Sequence, residues 1–305
     1  MRTRRHRRST PSDLIPTTAP VDLVEDDIED HDRGLAFDVA TLVDRRRALG
    51  FLAAGAAGVA LAACGSSGSD ASSSSTTSGS GSSSSSSSST EAGAADGSSA
   101  VPEETGGPYP ADGTNGPDVL TESGVVRQDI TTSFGEYSGT AEGVPMTVKL
   151  KLLDVGNGGS ALAGGALYLW HCTAEGGYSL YSQGVTDQNY LRGVQEADDD
   201  GALSFTSIWP ACYDGRWPHI HFEVWGSLDD ATSGGQKLRT SQIALPEEVC
   251  NEVYANDDRY SASVSNFSRV SLDTDMVFSD GYASQVPAWE GSIDDGYTIT
   301  MNVGV

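Results

Sequence analysis

Two histidines lie two residues apart in a stretch whose pattern predicts a β-strand. His219 and His221 alternate there with Ile220, Phe222 and Val224. Successive side chains of a strand point to opposite faces, so both imidazoles project from one face and the apolar side chains from the other. Two neutral imidazoles at this spacing can hold one metal ion. An isolated pair of this kind is more often a structural or surface pair, so its interpretation depends on the surrounding residues.

Two tyrosines and an arginine lie in segments that can reach the histidine pair. Tyr213 and Arg216 fall within residues 209–218, where prolines and a glycine predict a turn that bends Tyr213 back over the histidine strand. Tyr178 follows another apolar run and stands at the tip of a glycine turn. Either tyrosine alone would be interpreted as an aromatic core residue. Together with the histidines they define a candidate site.

The elements that must position these residues are short strands separated by glycine-rich turns. Turn signals occur at 156–159, 176–177, 198–201 and 233–235. Only residues 246–254 have the pattern of a helix. This pattern of short strands and glycine-rich turns predicts an all-β domain, either a sandwich or a barrel. Six runs have the strand pattern: Met146–Leu153, Ala166–His171, Ala202–Trp209, His219–Trp225, Leu238–Leu245 and Tyr297–Val303.

The charge of the chain is distributed unevenly. The 305 residues include 18 Lys and Arg against 43 Asp and Glu, and nine of the basic residues lie within the first 47 positions. Residues 48–305 therefore hold nine basic and 33 acidic residues, a net charge of −24. Because such a surface repels phosphate groups, we expect neither nucleic acid nor anionic lipid headgroups as partners of this part. No apolar run approaches the roughly 20 residues of a membrane-spanning helix.

The N-terminal region has the pattern of an export signal. Arg45, Arg46 and Arg47 precede sixteen mostly apolar residues, Ala48 to Ala63, and the run ends in Leu-Ala-Ala-Cys. The consecutive arginines resemble a bacterial twin-arginine signal. The end of the run resembles a lipoprotein box, in which Cys64 is lipidated and becomes the mature N-terminus. The alternative, a buried helix, is disfavoured by three glycines in the run.

The composition divides the chain into three regions. Residues 1–63 form the N-terminal extension and signal, and residues 64–102 are dominated by Ser, Gly, Thr and Ala. The second region buries too little apolar surface to fold and is predicted to be a disordered tether with a reach of roughly 35 Å. Residues 103–305 are predicted to be one folded domain. The protein is thus expected on the outer face of the cytoplasmic membrane or at the cell surface, with its lipid as the only membrane contact.

Three cysteines remain in the predicted domain: Cys172, Cys212 and Cys250. An odd number in an exported protein leaves at least one thiol unpaired within the chain. A disulfide between Cys212 and Cys250 is one candidate, and the sequence leaves the pairing open.

Residues 213–222 resemble the signature Y-x-x-R-x-x-H-I-H-F of the intradiol ring-cleavage dioxygenases, non-haem ferric enzymes that include catechol and protocatechuate dioxygenases. Residues 104–109 resemble the N-terminal T-x-G-P-Y element of that family, and residues 189–193 with 198–201 look like its middle stretch. The resemblance covers nearly all of residues 103–305. It implies a β-sandwich of mixed sheets, related to transthyretin, with glycine-rich loops and little helix.

The resemblance also implies a metal site. A trivalent cation removes the proton of a phenol despite an unperturbed pKa of about 10, and hard phenolate oxygens favour Fe(III) over zinc or copper. The implied ligands of a non-haem Fe(III) are Tyr178, Tyr213, His219 and His221.

Three further residues take roles from the same resemblance. Arg216 occupies the position of a guanidinium beside the substrate ring, where it would stabilise negative charge on the ring; the alternative is a surface ion pair. Gln242 resembles the active-site glutamine of the family. Trp217 departs from the usual pattern, Arg-Pro-x-His, and is expected to bring a bulky ring near the substrate pocket. His171 is expected to be structural or to lie behind the ligands.

The activity implied is cleavage of a catechol-type ring by O2 between its two hydroxylated carbons, giving a cis,cis-muconate-type diacid. Tyr213 would be the ligand that substrate displaces, and it would accept a catechol proton. Two other hypotheses stay open. The domain could be a non-catalytic, tethered binding module with a vestigial or storage metal site. A cupin-type oxidase or isomerase would fit the strands but leaves both tyrosine turns unexplained.

Overall fold

A computed structural model of the chain describes residue 97 and residues 99–305. The predicted signal, Cys64 and the tether up to residue 96 lie outside the described residues, and the domain boundary at residue 103 stays a prediction. Within the described residues the strands are β1 Pro145–Asp154, β2 Ser160–Ala161, β3 Ala166–Trp170, β4 Arg192–Glu196, β5 Ala202–Ile208, β6 His219–Trp225, β7 Lys237–Ala244, β8 Ala288–Ser292 and β9 Gly296–Gly304. The α-helices are α1 Leu228–Ser233, α2 Glu247–Asn256 and α3 Ser261–Phe267.

The strands form two sheets that pack as a sandwich. One sheet has β1 at its centre, paired with β5, with β9 and, at its end, with the short β2, while β8 extends the sheet beyond β9. The pairing of β1 with β9 is parallel, so this sheet is mixed. The other sheet is antiparallel, in the order β4-β3-β6-β7. The predicted β-sandwich with little helix is confirmed.

The strand that carries both histidines is buried along its whole length. All seven residues of β6 are buried, whereas β1 alternates between buried and exposed positions. Ile220, Phe222 and Val224 join the main hydrophobic core. The opposite face, with the histidines, is covered by the segment at 104–110, which bonds to β7 through Glu104 N and Thr240 O at 2.8 Å. The site therefore lies between a sheet and a covering loop.

All six predicted strands are present, and the predicted helix is α2. The short elements α1, α3, β2, β4 and β8 were not predicted, because they owe their conformation to neighbouring segments more than to a periodic apolar pattern of their own. The suggested disulfide is wrong for this structure, since Cys172, Cys212 and Cys250 are all buried free thiols. Among the described residues, no helix has the length and apolar character needed to cross a membrane.

Candidate metal centre

The two histidines of β6 face each other at close range. His219 Nε2 lies 3.1 Å from His221 Nε2, and Tyr213 Oη lies 3.1 Å from His219 Nε2. The Tyr178 ring stands edge-on to both Tyr213 and His221, with ring centroids 6.0 and 6.2 Å apart. The structure thus brings together the four side chains that the sequence suggested as ligands.

A backbone carbonyl selects the tautomer of His219. His219 Nδ1 lies 2.5 Å from Trp217 O, an atom that can only accept a hydrogen bond, so Nδ1 carries the proton and donates it. The lone pair of Nε2 is consequently directed towards Tyr213 and His221. Hydrogen bonding of the second ring nitrogen in this way is typical of metal-binding histidines.

Aromatic stacking and a glycine set the position of His221. The Trp170 ring is stacked on the His221 ring, with centroids 4.9 Å apart and planes inclined by 3°, and the two residues are register partners on β3 and β6. On the other side, Gly107 approaches so closely that a β-carbon there would lie 3.2 Å from His221 Cε1. Gly107 also has a φ of +68°, a left-handed conformation that favours glycine.

Tyr178 lies in the loop after β3, directly after the glycine turn that the sequence predicted. Its backbone N–H donates to Ser182 Oγ at 2.8 Å. Its side chain is buried, yet its Oη forms no hydrogen bond of normal geometry among the described residues. Burial, with the nearby Tyr213 phenol, raises the pKa of Tyr178 well above its usual value. Such a group loses its proton only if a strong positive charge takes the proton's place.

The imidazoles are held neutral by the same burial. Desolvation lowers the pKa of both His219 and His221 well below 6.5, with a further contribution from Arg216 to the first and from His219 to the second. Neutral imidazoles are the form that binds metals. Tyr213 differs from the other three donors because it is only half-buried, and it is therefore the donor most accessible to an incoming molecule.

Arg216 is fully buried and paired, which excludes the alternative of a surface ion pair. Its Nη2 donates to Gln242 Oε1 at 2.7 Å and its Nε to Asp275 Oδ2 at 3.0 Å. Gln242 is the register partner of His221 on β7, and its Nε2 donates to Thr105 O at 2.9 Å. The structure thus places the predicted Arg216 and Gln242 together beside the four donors. The sequence did not predict Asp275 as a site residue, because Asp275 lies in an acidic loop that has neither strand nor helix periodicity. Its contact with Arg216 in the folded structure identifies it.

Trp217 and His171 occupy positions outside the donor set. The Trp217 ring packs against Phe267 with centroids 4.8 Å apart, and its Nε1 donates to Leu245 O at 2.9 Å. The expectation that Trp217 brings its ring to the substrate pocket is therefore replaced by a packing role in a second hydrophobic cluster. Both ring nitrogens of His171 are hydrogen bonded, to Cys172 O and Ser207 Oγ. Burial lowers the pKa of His171 to about 4.

The arrangement fits a bound metal ion. Two nitrogen ligands about 2.1 Å from one ion are expected about 3.0 Å apart in octahedral and about 3.4 Å apart in tetrahedral geometry, and the 3.1 Å between the histidine nitrogens lies in this range. A buried phenol oxygen without a normal hydrogen bond supplies a third donor. Two oxygen and two nitrogen donors, with no thiolate among them, favour a hard metal ion over a soft one.

Comparison with known proteins agrees with this fold. Residues 114–219 match the family model described as Dioxygenase. A stretch of 56 residues is 38% identical to chlorocatechol 1,2-dioxygenase of Rhodococcus opacus, and it covers 18% of this chain and 22% of that relative. The chain thus matches only about a fifth of the length of this curated relative.

A solved dioxygenase structure shows the same fold. The intradiol ring-cleavage dioxygenase of Tetranychus urticae superposes with a TM-score of 0.52 at 22% identity, covering 68% of this chain and 94% of the other. The dioxygenase domain of a carbohydrate-binding fusion protein from Streptomyces sp. SirexAA-E gives a TM-score of 0.43 at 20% identity, covering 68% of this chain and 98% of the other. The family-model match covers about a third of the chain, and the superposition shows the fold of an intradiol ring-cleavage dioxygenase.

Proposed function

We propose that this protein is a non-haem Fe(III) dioxygenase that cleaves a catechol-type ring between its two hydroxylated carbons and incorporates both atoms of O2. The expected product is a cis,cis-muconate-type diacid. The observation that carries the proposal is the convergence of two phenols and two neutral imidazoles, with a buried guanidinium beside them. The match of residues 114–219 to the family model described as Dioxygenase supports the same chemistry.

The ligands would be Tyr178, Tyr213, His219 and His221. Ferric iron, when bound, would supply a Lewis acid that holds the two catechol oxygens and activates the ring towards O2. The buried Tyr178 and both histidines would remain fixed. Tyr213, being half-buried, would give way to the substrate, and its phenolate oxygen would then take up one catechol proton.

Arg216 and Gln242 would act on the substrate ring. Their mutual hydrogen bond of 2.7 Å fixes both side chains before substrate arrives. A preorganised donor pair in a buried site stabilises negative charge that develops during reaction more strongly than water does. We therefore assign Arg216 and Gln242 to binding and charge stabilisation.

The test is turnover of catechol under labelled oxygen. Protein purified with iron should be wine-coloured from phenolate-to-iron charge transfer. Under ¹⁸O2 it should yield a diacid that carries two ¹⁸O atoms. The double variant Tyr178→Phe with His221→Ala should lose both colour and turnover. Tyr260→Phe is a matched control, since within the described part of the chain its buried hydroxyl bonds only to backbone atoms of Val144 and Trp209.

Three results would reject the proposal. Colourless protein with stoichiometric iron would contradict the phenolate ligands, and turnover that survives in the double variant would contradict the site. Coloured protein that binds catechol without consuming O2 would instead support the binding module. The identity of the catechol is left to a substrate screen, because nothing in the donor set selects a ring substituent.

We also propose that the protein is exported and anchored by a lipid on Cys64. The support is the sequence of residues 45–64, with consecutive arginines, an apolar run and Leu-Ala-Ala-Cys. The domain would then meet aromatic diols outside the cytoplasm, on a tether long enough to clear the membrane. Metabolic labelling with a palmitate analogue should mark the wild-type protein and leave Cys64→Ser unlabelled. Equal labelling of both proteins would reject the anchor.

A further inference from the structure

A buried carboxylate holds the guanidinium of the candidate site. Asp275 and Arg216 are 0% and 1% exposed, and Asp275 Oδ2 accepts from Arg216 Nε at 3.0 Å. A second contact, from Arg216 Nη2 to Asp275 Oδ1, measures 3.5 Å. The guanidinium is planar with its donors in a fixed fork, so these two contacts define the plane in which Arg216 presents Nη2 to Gln242.

Asp275 is itself fixed by the backbone. Its Oδ2 also accepts from Trp217 N at 2.7 Å, and its Oδ1 accepts from Val277 N and Phe278 N at 2.8 and 3.2 Å. Both carboxylate oxygens therefore bind main-chain donors in addition to Arg216. The charge of Asp275 is satisfied by these donors, as a buried ion requires.

A continuous set of hydrogen bonds links this carboxylate to the loop that covers the histidines. Asp275 holds Arg216, Arg216 Nη2 donates to Gln242 Oε1, and Gln242 Nε2 donates to Thr105 O. Because Arg216 can only donate, the amide of Gln242 must present its oxygen to Arg216 and its nitrogen to Thr105. A rotation of Arg216 would remove the partner that orients Gln242.

We infer that Asp275 is a positioning residue: it acts through Arg216 and fixes the orientation of Arg216 and Gln242 towards the substrate ring. The expected effect of Asp275 on catalysis rests on the proposed function, whereas its contact with Arg216 does not. The contact also means that Arg216 is one half of a buried ion pair. Arg216 would therefore stabilise the reacting ring through directed N–H groups, in addition to any net positive charge.

Asp275→Asn is the sharpest variant. An asparagine is nearly the same size, but whichever way its amide is turned, the NH2 group faces donors that Asp275 now accepts from. A displacement of a catalytic group by about 1 Å can cost about a hundredfold in rate. We therefore expect kcat for catechol to fall about tenfold to a hundredfold, with iron content and colour per iron unchanged. Asp257→Asn is the matched control, since it breaks the Asp257–Arg259 pair, in which Arg259 is exposed, and it should leave kcat unchanged.

A double-mutant cycle separates positioning from general structure. In an Arg216→Gln background, Asp275→Asn should lower kcat less than twofold further, because the residue through which it acts is gone. An equal loss in both backgrounds, or no loss in the wild-type background, would overturn the inference. If Asp275→Asn does not fold, Asp275→Glu keeps the charge, shifts the carboxylate by one methylene and is expected to act in the same direction.

A second measurement does not depend on activity. In ¹H–¹⁵N spectra of the iron-free protein, the Nε–H signal of Arg216 and the side-chain amide of Gln242 should shift and exchange faster with water in Asp275→Asn, and not in Asp257→Asn. If wild-type protein turns over no catechol, the proposed function fails. These signals alone then test whether Asp275 orients Arg216 and Gln242. Unchanged signals would overturn the positioning role, while changed signals would support it.

Discussion

The Arg192 guanidinium binds both the carbonyl oxygen and the hydroxyl of Ser179, the residue that follows Tyr178. Nη2 donates to Ser179 O and Nε to Ser179 Oγ, each at 3.0 Å. The same guanidinium donates to Tyr109 O and Pro110 O at 2.9 and 3.1 Å. One completely buried side chain on β4 thus connects the loop that carries Tyr178 with the segment that covers the histidines.

Replacement of Arg192 should therefore destabilise the fold strongly. Arg192→Met removes the donors and leaves several buried acceptors unpaired, each costing about 1–3 kcal/mol, so the free energy of unfolding should fall by about 3 kcal/mol or more. Arg259→Met, at a partly exposed ion pair, should cost at most about 1 kcal/mol. Urea unfolding of both variants measures the difference. Similar losses in the two would show that the Arg192 contacts contribute little.

The hydroxyl of Tyr178 should matter to iron and not to stability. Because it forms no normal hydrogen bond with any residue that the structure describes, Tyr178→Phe should leave the unfolding free energy of the iron-free protein within about 0.5 kcal/mol of wild type, while iron affinity falls at least about tenfold. Tyr260→Phe should do the reverse. It breaks two backbone contacts, at 3.0 and 2.7 Å, and should cost about 1–3 kcal/mol with iron binding unchanged. Iron titration and urea unfolding of both variants test this pair, and a destabilised Tyr178→Phe would contradict it.

Two glycines with nearly the same backbone conformation should respond differently to alanine. Gly107 and Gly135 have φ values of +68° and +67°. Backbone strain should therefore destabilise both alanine variants by a similar amount, about 1–2 kcal/mol. A β-carbon at residue 107 would press on His221, whereas at residue 135 no heavy atom lies within 4 Å. Iron affinity should therefore fall severalfold in Gly107→Ala, as the ring is displaced, and stay constant in Gly135→Ala. Equal iron binding by the two variants would show that His221 tolerates the contact.

Glu104 should make stability depend on pH. Burial, together with the charge of Asp280, raises the pKa of Glu104 from 4.5 to about 7. Between these values the native state holds a proton that the unfolded chain has released, so the contribution of Glu104 to stability falls as pH rises from about 4.5 to 7. The unfolding free energy of wild type minus that of Glu104→Gln should decrease across this window and be constant on either side.

The control for Glu104 is an exposed carboxylate. Glu122→Gln removes one charge from an exposed position. The difference in unfolding free energy between this variant and wild type should not show the decrease expected for Glu104→Gln. Denaturation curves at half-unit pH steps provide the comparison. A difference for Glu104→Gln that does not change with pH would contradict a raised pKa.

The three cysteines should react only after unfolding. Burial raises the pKa of Cys172 and of Cys212 to about 12, so little thiolate is present near neutral pH. Iodoacetamide should leave the peptides with Cys172, Cys212 and Cys250 unmodified in native protein and alkylate all three in denaturant without reductant. Alkylation of only one under denaturing conditions would reveal a disulfide between the other two.

The sequence by itself determined the types of the site residues and much of the sheet. The alternation of His219 and His221 with apolar residues fixed which side chains share a face, because the period of a strand is local. Six strands and helix α2 were predicted for the same reason: their apolar patterns are long and regular. The signature around Tyr213 supplied the resemblance to a family, and the fold agrees with it.

The tertiary structure decided which residues hold the site in place. Asp275 follows Arg216 by 59 residues, Arg192 reaches Tyr109 across 83 residues, and neither contact leaves a periodic trace in the sequence. The structure also turned Trp217 away into a second cluster and left the three cysteines unpaired. These contacts depend on which distant segments of the chain pack against each other in the core, and only the packing of the whole domain determines that. The periodicity of a strand, in contrast, follows from the local order of its residues.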